Sequence, residues 1–184
     1  IVTPYYIKPP QRGIIEYYLE VTKDVAIPWM IYHIPGRAAV SITMETIKEL
    51  KENSPNFVGM KHAVSDLGFV SQCLAEFPDF KIFVGLEHLS FPELTIGAVG
   101  LMNAVGNLRP HILAEMCQAV WDNDLEKGKA LHHQLFELNE SVFYDTNPIP
   151  IKYMMKRMGL ILSNEHRLPM SPATPELEKR LDGV

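Results

Sequence analysis

The sequence predicts an α/β fold in which short buried strands alternate with amphipathic helices. Four short runs, at residues 28–34, 56–60, 81–84 and 98–102, are apolar at most consecutive positions. Runs of this kind are typical of parallel strands whose two faces are both covered by helices. Between the runs, apolar residues recur at helical spacing, and this alternation indicates βαβ units.

Two of the helical stretches between the strands begin with a residue that can cap a helix. Thr43 and Asp66 each stand directly before such a stretch. Their side-chain oxygens can accept hydrogen bonds from the first free backbone N–H groups, so we expect helices to start there. The four helical stretches of this part of the chain are expected at residues 14–19, 43–51, 67–76 and 89–96.

After the fourth apolar run, the pattern becomes helical throughout. We therefore divide the chain into a β/α part at residues 1–109 and a helical extension at residues 110–184. The extension is expected to contain helices at 110–121, 125–144 and 149–158, then a proline-rich tail at 169–175.

Composition excludes several classes of partner. The net charge of −5 gives no electrostatic reason to expect nucleic acid or an anionic membrane surface. No apolar run approaches the roughly 20 residues that cross a bilayer. Cys73 and Cys117 match no disulfide framework, and we expect reduced thiols in a cytoplasmic protein. His62 and Asp66, four residues apart, lack a third ligand, so we expect no metal site.

Four parallel strands could form an open sheet or part of a barrel. An open nucleotide-binding sheet should carry a GxGxxG or GxxxxGK[ST] motif after its first strand, and neither motif occurs. A barrel of parallel strands carries its chemistry at the carboxyl ends of the strands. Those positions are therefore the candidates for a functional site.

Lys61 follows the second apolar run and is the unusual residue among the strand ends. A neutral lysine amine attacks a ketone to give an iminium, which makes the adjacent carbon acidic. Tyr32 on the neighbouring strand could relay protons, Arg37 offers a fork that fits a carboxylate, and Gly85 leaves room for a small substrate. Plainer roles also fit: a solvated lysine, a packing tyrosine and a loop arginine. Spacing alone leaves both interpretations open.

Four motifs occur along the chain in this order: Pro4-Tyr5-Tyr6, Tyr32-His33-Ile34-Pro35-Gly36-Arg37, Gly59-Met60-Lys61 and Asn147-Pro148-Ile149-Pro150-Ile151-Lys152. Together they resemble the dihydrodipicolinate synthase and N-acetylneuraminate lyase family of class I aldolase-like barrels. The resemblance covers nearly the whole chain. It implies the C-terminal half of a (β/α)8 TIM barrel, about strands 4 to 8, followed by a C-terminal helical extension.

The resemblance also implies roles for individual residues. Lys61 matches the lysine that forms a covalent imine with pyruvate, so no separate cofactor is expected. Tyr32 matches the tyrosine beside it that relays protons. Tyr6 matches a second relay tyrosine, which reaches across a dimer interface and implies a homodimer or homotetramer. Gly85 and Met102 fall where the family lines its pyruvate pocket.

Arg37 favours one branch of the family. It resembles the arginine that binds the carboxylate of the aldehyde substrate, which implies condensation of pyruvate with aspartate semialdehyde. Residues 62–66 and 86–88 depart from the usual pattern of that branch. A related pyruvate-dependent aldolase or dehydratase of sugar acids, or a non-catalytic homologue, therefore remains an alternative.

The family's Gly-Thr-Thr loop, which holds the pyruvate carboxylate, has no counterpart in these residues. We expect the first strands of the barrel either upstream of Ile1 in a longer protein or on a partner chain. For the same reason, we expect no turnover from this segment alone.

Overall fold

A computed structural model describes all 184 residues. The chain divides into two compact units, Ile1–Gly100 and Leu101–Val184. None of its helices combines the length and the apolar character that a membrane span requires.

The four strands of the sheet are adjacent in the order in which they occur along the chain. They are β1 (Trp29–His33), β2 (Phe57–His62), β3 (Lys81–Val84) and β4 (Gly100–Leu101). The pairs β1–β2 and β2–β3 are parallel. A doubly wound sheet reverses its strand order at a switch point, whereas barrel strands follow chain order. The predicted α/β class with parallel strands is therefore confirmed.

The first three residues extend the sheet beyond β1. The backbone N–H of Tyr32 donates to the carbonyl of Ile1 at 2.8 Å, and the N–H of Thr3 donates to the carbonyl of Tyr32 at 3.2 Å. Val2 forms a parallel bridge with Tyr32. Because the N–H and the carbonyl of Tyr32 both bond to residues 1–3, these residues lie along the edge of β1 that does not pair with β2.

Burial alternates along β1 as expected for a strand with two different faces. Trp29, Ile31 and His33 are buried, whereas Met30 and Tyr32 are half-buried. Trp29 stacks on Tyr18 of the first helix and on Phe57 of β2, with ring centroids 5.4 and 4.6 Å apart. The buried face therefore looks towards the helices, and the half-buried face carries Tyr32.

The helices of the first unit begin where the caps predict. The Thr43 side chain accepts a hydrogen bond from the N–H of Thr46, and the Asp66 side chain accepts one from the N–H of Phe69. Both predicted caps are confirmed. The helices are α1 (Gln11–Thr22), α2 (Pro35–Ala38), α3 (Met44–Asn53), α4 (Leu67–Glu76) and α5 (Ser90–Thr95).

β2 and β4 differ most from the apolar runs that predicted them. The apolar run of β2 ends at residue 60, but the strand includes Lys61 and His62, in agreement with the expected place of Lys61 at the strand end. Their polar side chains ended the apolar run, although the backbone ladder to β1 and β3 continues. β4 is only two residues long, although the apolar run covers residues 98–102.

The second unit contains five helices where the sequence predicted three. The expected helix at 125–144 breaks at Leu135, which is 2% exposed, so the helical period continues across a buried turn. A further helix follows the proline-rich tail, capped by the Thr174 side chain. The five helices are α6 (Pro110–Trp121), α7 (Leu125–Gln134), α8 (Phe136–Ser141), α9 (Ile149–Arg157) and α10 (Pro175–Leu181).

Candidate active site

Tyr32 and Lys61 lie side by side across the β1–β2 pair. The parallel register places the two residues opposite each other, and the Lys61 Nζ is 4.3 Å from the centroid of the Tyr32 ring. Both side chains are half-buried. The negative face of an aromatic ring attracts an ammonium group. The contact therefore holds an amine and a phenol ring together, as the sequence predicted for neighbouring strands.

A glycine in β2 allows the strand that carries Lys61 to pair closely with β3. Gly59 pairs with Lys81, and a Cβ added to Gly59 would overlap the Lys81 carbonyl oxygen. Any larger residue would push the two strands apart. Gly59 therefore fixes the position of β2 two residues before the amine.

Arg37 lies in the short helix α2, directly after β1. Pro35 occupies the first turn, and Ala39 ends the helix in the left-handed conformation at φ 59°. The Arg37 side chain is exposed at the carboxyl end of β1. Because β1 and β2 are parallel, Arg37 and Lys61 are both near the same edge of the sheet.

Tyr6 lies close to the sheet in sequence, but its side chain points into solvent. Thr3, which pairs with Tyr32, precedes it by three residues. Tyr6 is 87% exposed, and its φ of 73° is unusual for a residue with a side chain. The structure does not bring the Tyr6 side chain to Lys61 or Tyr32. Its neighbours Tyr5 and Ile7 are also largely exposed.

Gly85 and Met102 follow β3 and β4. A Cβ added to Gly85 would lie 2.8 Å from both the Ala63 Cβ and the His62 carbonyl oxygen, and the Gly85 N–H donates to that oxygen. Close packing therefore requires the glycine, a reason different from the open space for substrate that the sequence suggested. Met102 directly follows β4 in the second unit, and it is 38% exposed.

A histidine pair behind Tyr32 and Lys61 was not predicted as part of the site. His33 and His62 are 4% and 0% exposed, and their Nδ1 atoms are 3.4 Å apart. Burial and the neighbouring His62 lower the pKa of His33 to about 4, against the opposing effect of Asp66. Burial also lowers the pKa of His62. The sequence did contain a signal for this pair. His33 directly follows Tyr32, and His62 directly follows Lys61, on two adjacent strands.

Comparison with known proteins identifies the family. A family model described as the dihydrodipicolinate synthetase family matches residues 1–183. The chain belongs to this family. The resemblance drawn from the four sequence motifs is thereby confirmed.

Members of the dihydrodipicolinate synthetase family match the chain in sequence and in structure. A 4-hydroxy-tetrahydrodipicolinate synthase from Thermus thermophilus is 43% identical over 183 residues, which cover 98% of this chain and 61% of that protein. The crystal structure of dihydrodipicolinate synthase from Aquifex aeolicus has a TM-score of 0.96 at 32% identity, covering 99% and 62% of the two chains. The synthase from Acinetobacter baumannii complexed with pyruvate has a TM-score of 0.93 at 30% identity, with the same coverages of 99% and 62%.

The coverages show what fraction of a family member these residues represent. The chain spans about three fifths of the length of the relatives it matches. Its fold is therefore part of the TIM barrel of the dihydrodipicolinate synthetase family.

Proposed function

We propose that these residues form the C-terminal part of a 4-hydroxy-tetrahydrodipicolinate synthase. This enzyme would be a class I aldolase-type lyase that condenses pyruvate with L-aspartate semialdehyde in lysine and diaminopimelate biosynthesis. The observation that carries the proposal is the Lys61 amine, 4.3 Å from the centre of the Tyr32 ring, near the carboxyl end of a barrel strand. The pyruvate complex of the Acinetobacter baumannii relative supports the choice of 2-oxo acid.

The proposed chemistry begins at the Lys61 amine. The neutral amine attacks the keto carbon of pyruvate, and the resulting carbinolamine takes up a proton and loses water to give a protonated imine. Loss of a proton from the methyl carbon then gives an enamine, whose carbon attacks the aldehyde. Each step moves a proton, and the phenol of Tyr32, whose ring lies beside the reacting nitrogen, is the proposed carrier. The covalent imine takes the place of a cofactor, and the reaction needs no metal.

Arg37 is the proposed binding group for the second substrate. Its guanidinium is planar, always charged and able to form two parallel hydrogen bonds with a carboxylate. It is exposed after β1, near the sheet edge towards which Lys61 lies. A small aldehyde that carries a carboxylate would therefore be fixed at one end by Arg37 while its other end meets the enamine.

Tyr6 is proposed to act in a neighbouring subunit. Its side chain is 87% exposed, and Tyr5 and Ile7 beside it are 66% and 71% exposed. An exposed apolar cluster of this kind is typical of a protein interface. We therefore propose a homodimer or homotetramer in which Tyr6 completes the proton relay of the partner's site.

The remaining expectations of the sequence also belong to this proposal. Gly85 and Met102 would line the pyruvate pocket. Residues 1–109 would supply barrel and residues 110–184 the helical extension. The enzyme would act in the cytoplasm, where Cys73 and Cys117, both buried and in no disulfide, stay reduced.

Replacement of Arg37 tests the choice of aldehyde. In the native polypeptide that contains these residues, we expect Arg37→Ala to raise the KM for aspartate semialdehyde about 10- to 100-fold, as loss of a charge-assisted pair should. The KM for pyruvate should stay unchanged. Steady-state kinetics with each substrate varied in turn measure both constants.

Arg12→Ala provides the matched control, because Arg12 is an exposed arginine on α1. It should change neither constant. Unaltered use of aspartate semialdehyde by Arg37→Ala would contradict the assignment and would favour an aldolase or dehydratase of sugar acids. Absence of any reaction with pyruvate in the unmodified protein would favour the non-catalytic homologue.

A further inference from the structure

His33 and His62 form a buried pair on the face of the sheet opposite to Tyr32 and Lys61. Successive residues of a strand point to opposite faces, so each histidine lies behind the candidate residue that precedes it. The register that aligns Tyr32 with Lys61 also aligns His33 with His62. The ring of Phe69 in α4 packs against both imidazoles, and its centroid lies 5.7 Å from the centroid of each of them. The two pairs therefore share one section of the β1–β2 ladder.

The hydrogen bonds of the pair define where its protons are. The Ile42 N–H donates to the Nε2 of His33 at 3.2 Å, so this nitrogen carries no proton. Neutral His33 is then protonated at Nδ1 and donates to the Nδ1 of His62, 3.4 Å away. His62 consequently carries its proton at Nε2. Only this combination of tautomers makes both contacts hydrogen bonds.

The pair also connects the two halves of the proposed site. Ile42 lies in the loop between α3 and α2, the helix that carries Arg37. Its bond to His33 attaches this loop to β1, and the bond from His33 to His62 attaches β1 to the strand of Lys61. Backbone bonds continue the connection, since Ala63 donates to the His33 carbonyl at 2.9 Å.

We propose that His33 and His62 are positioning residues, which hold the amine of Lys61 against Tyr32 and fix its distance from α2, the helix of Arg37. This role rests on the proposed function, because it concerns the geometry of imine formation. Neither histidine touches the substrate. They act through the strand residues in front of them, where a small displacement of a reacting group lowers the rate strongly.

Three variants test the proposal in the native polypeptide that contains these residues. His62→Phe keeps a ring of similar shape but removes the acceptor for His33. His62→Gln restores an acceptor in its amide oxygen. Phe69→Leu removes the ring packed on both imidazoles and leaves their hydrogen bond in place, which makes it the matched control for lost packing.

The main readout is the rate of imine formation with pyruvate, trapped by borohydride and followed by mass. We expect His62→Phe to slow trapping roughly tenfold or more, and His62→Gln to recover most of the rate. Phe69→Leu should trap at nearly the unmodified rate even where its melting temperature falls as far as that of His62→Phe. Trapping by His62→Phe at the unmodified rate, or equal slowing in Phe69→Leu, would overturn the positioning role.

A second readout is independent of activity. Nitrogen-15 spectra of the imidazoles should show protonated Nδ1 and unprotonated Nε2 in His33, and the reverse in His62. The opposite assignment would overturn the proposal even if the protein forms an imine. Absence of a pyruvate adduct in the unmodified protein would instead overturn the proposed function, and the positioning role with it.

Discussion

Burial controls the charge of two side chains in the first unit, His33 and Glu93. Burial and His62 lower the pKa of His33 to about 4, so His33 is neutral near neutral pH. The contribution of neutral His33 to stability is fully present above its ordinary pKa of 6.5. It is lost as the pH falls from there through about 4. The hydrogen bond from the Ile42 N–H requires this neutral form, because a doubly protonated imidazole has no acceptor at Nε2.

Glu93 shows the opposite behaviour. It is 0% exposed, and neither carboxyl oxygen has a hydrogen-bond partner. Burial raises its pKa from 4.5 to about 8, because an isolated buried carboxylate is poorly solvated. The folded chain therefore holds a proton that the unfolded chain releases, and this contribution to stability is lost as the pH rises from about 4.5 through about 8.

Glu93→Gln should remove this pH dependence. The amide has nearly the same shape and does not ionise, so we expect the variant to gain stability over the unmodified protein as the pH rises. Relative to the unmodified protein, the free energy of unfolding of Glu93→Gln should be roughly 2–4 kcal/mol higher at pH 8 than at pH 5. Urea unfolding at the two pH values measures it.

The control for Glu93 is Glu52→Gln, since Glu52 is exposed on α3. Its difference from the unmodified protein should not vary with pH. A stability difference for Glu93→Gln that is equally flat between pH 5 and pH 8 would show that the buried carboxyl is not protonated in the native state.

At the scale of elements, the close approach of β2 and β3 determines where Lys61 is placed. Lys61 pairs with Tyr32 on one side and with Phe83 on the other, so its backbone is held by both neighbouring strands. Gly59 permits this contact because it has no Cβ to meet the Lys81 backbone. β2 therefore carries both Gly59, which the close contact with β3 requires, and Lys61, the proposed imine-forming residue.

Gly59→Ala should consequently be strongly destabilising. The Cβ would meet backbone atoms of β3 that cannot move aside as a flexible side chain can. We expect a loss of about 3 kcal/mol or more in the free energy of unfolding, in the range of severe overpacking. Chemical denaturation gives this value directly.

Gly36→Ala is the matched substitution, because a Cβ there would meet nothing within 4 Å. It should be neutral or stabilising by about 0.5–1 kcal/mol through the unfolded state. Equal stability of the two alanine variants would mean that β2 and β3 do not approach as closely as described.

The sequence predicted the helices that have local signals. Thr43 and Asp66 marked two helix starts correctly because a cap acts within one turn. The break at Leu135 was missed, because a buried turn continues the helical period of the flanking segments. The polar end of β2 was predicted from the position of Lys61 after the apolar run, and the strand does extend to His62.

For the whole molecule, the candidate site was predictable as far as adjacent strands determine it. Tyr32 and Lys61 are neighbours because each is the penultimate residue of one of two consecutive parallel strands, and the structure pairs them. The same register pairs His33 with His62, but polar residues at the ends of the strands gave no indication that both imidazoles are buried. Tyr6 could be placed near the sheet but not against Lys61, because its side chain is exposed.

The extent of the chain limits how complete the site is. These residues span about three fifths of the family members they match, and the sheet has four strands and a short edge at residues 1–3. An eight-stranded barrel needs more strands to close. Activity is therefore best tested in the native polypeptide that contains these residues, whereas imine formation concerns Lys61 itself.

The most direct test of the account is to locate the pyruvate adduct. The native polypeptide is incubated with pyruvate, reduced with borohydride, digested and sequenced by mass spectrometry, together with Lys61→Arg and the exposed control Lys48→Arg of α3. We predict a reduced pyruvyl adduct on Lys61, its loss in Lys61→Arg and its retention in Lys48→Arg. An adduct on another lysine, or no adduct on any, would contradict the assignment of Lys61 as the imine-forming residue.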